Sequence, residues 1–151
     1  LRDIPVKQVH NYADVLFDEL GLEVGRSQRI SEYSKGMRQK VAYVQAVLHD
    51  PEVVFLDEPT SGLDPRAAKT LREMIRGLAD EGTTVFLSTH ILPVVEEVAD
   101  TVGILYNGEL VEEGTPADLT DRTATHGGST LEDAFLEVTS TDPIEEAPIN
   151  D

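Results

Sequence analysis

The sequence contains no cysteine, so neither a disulfide nor a thiolate metal site is open to it. No stretch approaches the roughly 18 consecutive apolar residues that a membrane-spanning helix needs, so any membrane role would depend on a partner. No charged segment followed by an apolar core opens the chain, and no signal peptide is read there. A cytoplasmic protein is expected. Basic residues are few: 12 lysines and arginines stand against 29 aspartates and glutamates, a formal net charge of −17. That balance argues against sequence-independent nucleic-acid binding, which relies on Lys and Arg to neutralise phosphates. It predicts a solvated acidic surface, of the kind that suits a salt-rich cytoplasm where screening over a few Å weakens self-repulsion. No internal repeat is found.

What is present is enough for one domain: 151 residues, 40% of them hydrophobic. The first residue is Leu1, not Met, and it stands just ahead of an amphipathic pattern. The expectation is the C-terminal portion of a longer protein. Val6, Val9, Ala13, Leu16 and Leu20 recur at helical spacing, with Gly21 as a stop. After a loop to about Ser31, a second helix is expected from about Ser34 to Leu48, with Met37, Val41, Val44 and Leu48 on one face. A strand at 53–56 follows, then a helix that Asp64 can cap and Pro65 can open, with Ala68, Leu71, Ile75 and Leu78 as its buried stripe. Thr84–Ser88 reads as a second apolar strand, and a helix is expected from about Leu92 to Ala99. Asn107-Gly108 signals a two-residue hairpin between Val102–Tyr106 and Glu109–Glu112. Thr115-Pro116 opens a short helix, and Leu131–Val138 reads as a last amphipathic one. The alternation of strands and helices predicts a parallel α/β layer, with the hairpin as an antiparallel edge. Residues 140–151 lack apolar periodicity and read as a disordered acidic tail.

The chemistry concentrates in VVFLDEPTSGLDP, residues 53–65, and in Ser88-Thr89-His90. A continuous apolar run of about 4–8 residues reads as a fully buried strand, and this one ends in Asp57 and Glu58. In open α/β sheets, ligands sit off the carboxyl ends of the strands. Buried acids with no adjacent cation are expensive as structure alone, and they make sense opposite a metal–nucleotide complex. Asp57 could hold Mg²⁺, a hard ion that prefers oxygen and keeps several waters. Glu58, one residue on, is free to polarise an attacking water. A lone Asp-Glu pair is usually just an acidic turn; the whole run makes the functional reading stronger. His90 lies two residues past the second strand, at the same sheet edge, where an imidazole could contact a terminal phosphate. A histidine in that place is often only a cap, and His10, His49 and His126 have no context beyond that. Tyr33-Ser34-Lys35-Gly36-Met37 opens the second helix: Ser34 can cap it, Gly36 lets an anion approach, and Lys35 adds positive charge. A helix N-terminus is a ready anion site.

In this order and spacing, the motifs over roughly residues 1–120 resemble the C-terminal part of an ABC transporter ATP-binding subunit. YSKGM resembles the family's LSGGQ signature, with Tyr33, Lys35 and Met37 as departures from it. VVFLDE resembles the Walker B strand with its catalytic glutamate, SGLD the D-loop, and His90 the switch histidine. LEDAFLEVT, residues 131–139, resembles the tail of exporter-type members.

The fold this resemblance implies is the α/β core of a P-loop NTPase of the ABC type, mostly parallel with a late hairpin, lacking its first strands and keeping part of the helical subdomain. Residues 1–139 would form the C-terminal part of the ATPase domain. About 1–50 would be the helical signature region, 51–120 the core, and 121–139 the C-terminal helix. The resemblance assigns Asp57 to Mg²⁺, Glu58 to general-base work, and His90 to the γ-phosphate and water. Ser34, Lys35, Gly36 and Met37 would meet ATP held by an opposite subunit, and Ser61, Gly62, Leu63 and Asp64 would line the dimer interface. ATP and Mg²⁺ are the implied cofactors. The implied partners are a second ATPase subunit, in a homo- or heterodimer, and a transmembrane permease that would hold the protein at the inner face of the cell membrane. Transport, as export, is the expected role. No G-x-x-x-x-G-K-[ST] P-loop occurs in the sequence, so the chain alone is not expected to hydrolyse ATP. Two other readings stay open: a non-transport ABC-type ATPase, and a non-catalytic module that dimerises with a complete subunit and lends it a signature motif.

Overall fold

A computed structural model describes residues 5–22, 28–124 and 130–139, so the expected acidic tail lies outside the described residues. The chain divides after His90 into two units.

In the first unit, helix α1 (Val6–Glu19) turns Leu16 inward. Helix α2 (Lys35–Val47) is capped by Ser34, whose Oγ accepts the Met37 N–H at 3.2 Å. Tyr43, Val44 and Val47 are its buried face, with Met37 and Val41 packed alongside. Leu48, expected on that face, is the residue that ends the helix and is only half-buried. Lys40 ties the two helices together by donating from Nζ to the Leu20 carbonyl at 2.7 Å.

Strand β1 (Val53–Asp57) pairs in parallel with β2 (Thr84–Ser88), from Val53 opposite Thr84 to Asp57 opposite Ser88. Between them runs helix α3 (Pro65–Asp80). Asp64 caps it by accepting the N–H groups of Arg66 and Ala67, both at 3.0 Å, and Pro65 opens it where a missing N–H does no harm. Leu71 and Ile75 form its buried stripe, as their spacing predicts.

The expectation of a strand buried on both faces needs correction. Val54 and Leu56 are 4% and 8% exposed, whereas Val53 and Phe55 are 46% and 74% exposed. The physical reason is a single layer of cover: residues from α1, α2 and α3 join Val54 and Leu56 in one core cluster, which occupies one side of the sheet. On the other side Phe55 and Phe86 stack on each other, with ring centroids 5.0 Å apart.

The second unit begins with helix α4 (Leu92–Val98), followed by β3 (Val102–Tyr106) and β4 (Glu109–Gly114). Asn107 and Gly108 take φ values of 49° and 84°, the pair of positive angles that a type I′ hairpin turn requires. Among the described residues, this hairpin is a separate two-stranded sheet, not an edge added to β1 and β2. Helices α5 (Pro116–Ala124) and α6 (Leu131–Thr139) close the unit, and Leu119, Leu131 and Ala134 form its core with Ile104. Each helix opens with the same reciprocal device. Thr115 Oγ1 accepts the Asp118 N–H while Asp118 accepts the Thr115 N–H; Thr130 and Asp133 do likewise. This is a capping box with aspartate in place of glutamate. No helix among the described residues is long and apolar enough to cross a membrane.

Candidate active site at the ends of the parallel strands

Parallel pairing brings the chemistry together. Because Asp57 stands opposite Ser88 in the register, Glu58 and the Thr89-His90 pair leave the sheet side by side. Ser88 Oγ donates to Asp57 Oδ1 at 2.5 Å. Glu58 Oε1 receives the His90 backbone N–H at 2.9 Å and lies 2.6 Å from His90 Nδ1. Its Oε2 accepts from Thr89 Oγ1 at 3.1 Å. Burial pushes the Glu58 carboxyl up, but the His90 ring, the His90 N–H and the Thr89 hydroxyl outweigh it and hold the group below its ordinary range. Glu58 is therefore a carboxylate at neutral pH. A carboxylate offers about four lone-pair positions; three are occupied here, which leaves one for a water.

The backbone of Glu58 is as constrained as its side chain. Its N–H donates to Ser88 O at 2.8 Å, and its carbonyl accepts the Ser61 N–H at 3.0 Å. Gln39 Nε2 reaches the same carbonyl at 3.1 Å. Glu58 sits at φ 45°, in the left-handed region that a residue with a Cβ adopts only when its surroundings over-determine it.

The start of α2 meets the Ser61–Asp64 turn. Lys35 Nζ donates to Ser61 Oγ at 3.2 Å. A Cβ on Gly36 would stand 3.0 Å from the Gly62 carbonyl oxygen, so any larger residue there would push that turn outward. Gly62 has φ 76°, and its own Cβ would meet Lys35 Cδ at 2.9 Å. The Met37 side chain and Leu63 pack against the core, while the Met37 N–H is taken by Ser34. Asp64 faces its own helix: the Ala67 and then the Arg66 N–H hold its carboxyl below the ordinary range. Thr60, in the same turn, is buried, and its hydroxyl has no hydrogen-bond partner among the described residues.

The structure brings Asp57, Glu58 and His90 together at the strand ends. Lys35 and Gly36 approach Ser61, Gly62 and Leu63, whereas Ser34 and Asp64 cap their own helices. Ser88, Thr89 and Gln39 have roles that the sequence alone does not indicate. The first two stand immediately before His90, but their partners follow only from the strand register. Nothing local points to Gln39, which bonds across 19 positions. Among the described residues, no three His, Cys, Asp or Glu side chains converge on a point that could hold a metal ion. Asp57 beside the Ser88 hydroxyl offers hard oxygen, which fits Mg²⁺ as one of the one or two carboxylates it takes beside water and phosphate.

This architecture matches the ABC-type P-loop NTPase fold. The solved "Structure of ATP binding subunit of ABC transporter" matches it with a TM-score of 0.80 and 33% identity, over 90% of this chain and 56% of that one. Residues 4–96 match the family described as "AAA domain, putative AbiEii toxin, Type IV TA system", and the chain belongs to that family. Among curated proteins it is similar to the uncharacterized ABC transporter ATP-binding protein sll0415 of Synechocystis, 45% identical over 66% of this chain and 28% of that protein. It is also similar to the methionine import ATP-binding protein MetN 1 of Listeria monocytogenes, 35% identical over 79% of this chain and 36% of that one. The chain thus spans about a third of the length of these relatives.

Proposed function

We propose that the chain is the part of an ABC transporter subunit that carries the Walker B strand (VVFLDE), the D-loop (SGLD) and the signature (YSKGM), and that the intact subunit hydrolyses ATP to drive transport. The observation that carries this reading is the pairing of Glu58 with His90 and Thr89 beside Asp57, at the carboxyl ends of two parallel strands. Glu58 would accept the proton of an attacking water at the lone pair that His90 and Thr89 leave over. His90, fixed through Nδ1, would present its Nε2 to the terminal phosphate. Asp57 would hold Mg²⁺, which supplies charge neutralisation to the phosphates when bound. Ser34 and Gly36, with the Lys35 ammonium, would meet the γ-phosphate of ATP held by a second subunit, and residues 61–64 would line the interface between the two.

The three-part division of residues 1–139, the membrane permease as partner, and a place at the inner face of the cell membrane belong to the same proposal. Its direction is export, supported by the resemblance of YSKGM and LEDAFLEVT to exporter-type members; the import protein among the relatives is the counterweight. Glu58→Gln in the intact subunit keeps the shape and removes the base. Turnover should fall by about 100-fold or more, while ATP still binds and dimers accumulate. Unchanged turnover would overturn the assignment. The sequence carries no P-loop, which favours a second reading, a non-catalytic module that lends its signature to a complete partner. The in-frame coding sequence upstream of Leu1 separates the two: a P-loop there supports the ATPase, and a start codon without one supports the module.

A further inference from the structure

Helix α2 reaches the turn after Glu58 with two side chains set one helical turn apart. Gln39 Nε2 donates to the Glu58 carbonyl at 3.1 Å, and Lys35 Nζ donates to Ser61 Oγ at 3.2 Å. Residues four apart share a helix face, so both bonds leave the same side of α2. Beside them the two backbones close in, with Gly36 against the Gly62 carbonyl. The far side of the turn is held by Ser88 O, which accepts the Glu58 N–H at 2.8 Å. Glu58 is thus gripped from a helix on one side and a strand on the other, in a backbone conformation (φ 45°) that does not sustain itself.

We propose that Gln39 is a positioning residue for Glu58: with Lys35 as its companion, it holds the left-handed backbone that aims the carboxylate at Thr89 and His90. The inference rests on the reading of Glu58 as the base and of the α2 N-terminus as a phosphate site. It adds a physical link between the two. The helix whose first turn meets the phosphate in one composite site is the helix that fixes the base of the other, so binding at the first reaches the second through one rigid element.

Gln39→Met keeps the length of the side chain and removes the donor. In the intact subunit, hydrogen exchange in the peptide covering Glu58–Leu63 should speed up about 3–10-fold, the range expected for the loss of one hydrogen bond. The kcat should fall on the order of 10-fold or more, as misplacement of a reacting group predicts, with KM for ATP unchanged. Gln39→Glu, which sets an acceptor against an acceptor, should lower kcat further. Gln45→Met, at an exposed position of the same helix, should change none of these. Unchanged exchange in Gln39→Met would overturn the grip itself. Faster exchange with unchanged kcat, or an equal loss in KM, would overturn the positioning role. Failure of the Glu58 reading shows separately, as full turnover in Glu58→Gln, and exchange then still decides whether Gln39 holds the turn.

Discussion

Gly62→Ala tests the contact between the α2 N-terminus and the Ser61–Asp64 turn, and its effect can be worked out in parts. At φ 76° an alanine enters the left-handed region, which costs about 1–2 kcal/mol. Its Cβ would also stand 2.9 Å from Lys35 Cδ and 3.2 Å from Cε. The lysine stem is flexible and can swing aside, but doing so forfeits its hydrogen bond to Ser61, worth about 0.5–1.5 kcal/mol. The sum is a destabilisation of about 1.5–3.5 kcal/mol. In a Lys35→Ala background the bond is already absent and the stem cannot collide, so only the backbone part should remain. The two substitutions should therefore couple by about 0.5–1.5 kcal/mol in a double-mutant cycle. Urea denaturation followed by tyrosine fluorescence suits the measurement, because Tyr12, Tyr33 and Tyr43 all lie in the first unit. A loss below about 0.5 kcal/mol, typical of an unremarkable surface position, would refute the left-handed turn. An equal loss with and without Lys35 would refute the contact.

Two further outcomes follow from the site and the sheet. Because the folded Glu58 carboxyl titrates below its ordinary value of 4.5, the stabilisation it brings is present above that value and is lost as pH falls through the lower folded one. The unfolding midpoint of the wild-type chain should therefore drop more steeply below pH 4.5 than that of Glu58→Gln; parallel slopes would count against the His90 and Thr89 bonds. Phe86→Ser removes half of an aromatic stack worth about 0.5–1.5 kcal/mol from a position that is 57% exposed. It should lower the binding of a hydrophobic dye at little expense in stability, and a loss above about 3 kcal/mol would show that this face is covered in solution.

Local signals carried most of the element order. The Asp64-Pro65 start of α3, the Asn107-Gly108 turn and the spacing of Leu71 and Ile75 each act within a few residues, and the chain realises all of them. What was not legible depends on pairing between distant segments. The run Val53–Leu56 carries no mark of how many layers cover it, so a sheet with one bare face looks the same as a buried one. Glu58 shows no sequence sign of its left-handed backbone, since glutamate is a poor choice for that region; only the grip of Ser88, Ser61 and Gln39 explains it. Asn107-Gly108 encodes the hairpin turn, but no turn residue encodes which strands pair, and among the described residues β3 and β4 pair only with each other.

The backbone at Glu58 also bears on how this sequence can drift. Only glycine, and to a lesser degree asparagine and aspartate, occupies φ near 45° without strain, so a glutamate there, if it is the base proposed above, is a standing concession of stability to chemistry. A lineage released from selection for turnover would be expected to lose this glutamate early, and to gain stability as it did so. Glycine, asparagine or aspartate at position 58 of a descendant would then mark a silenced site, recognisable from that one residue while the rest of the motif still looked intact. The same asymmetry makes glutamine the informative laboratory substitution: it keeps the strain and removes only the charge, whereas glycine would change both at once.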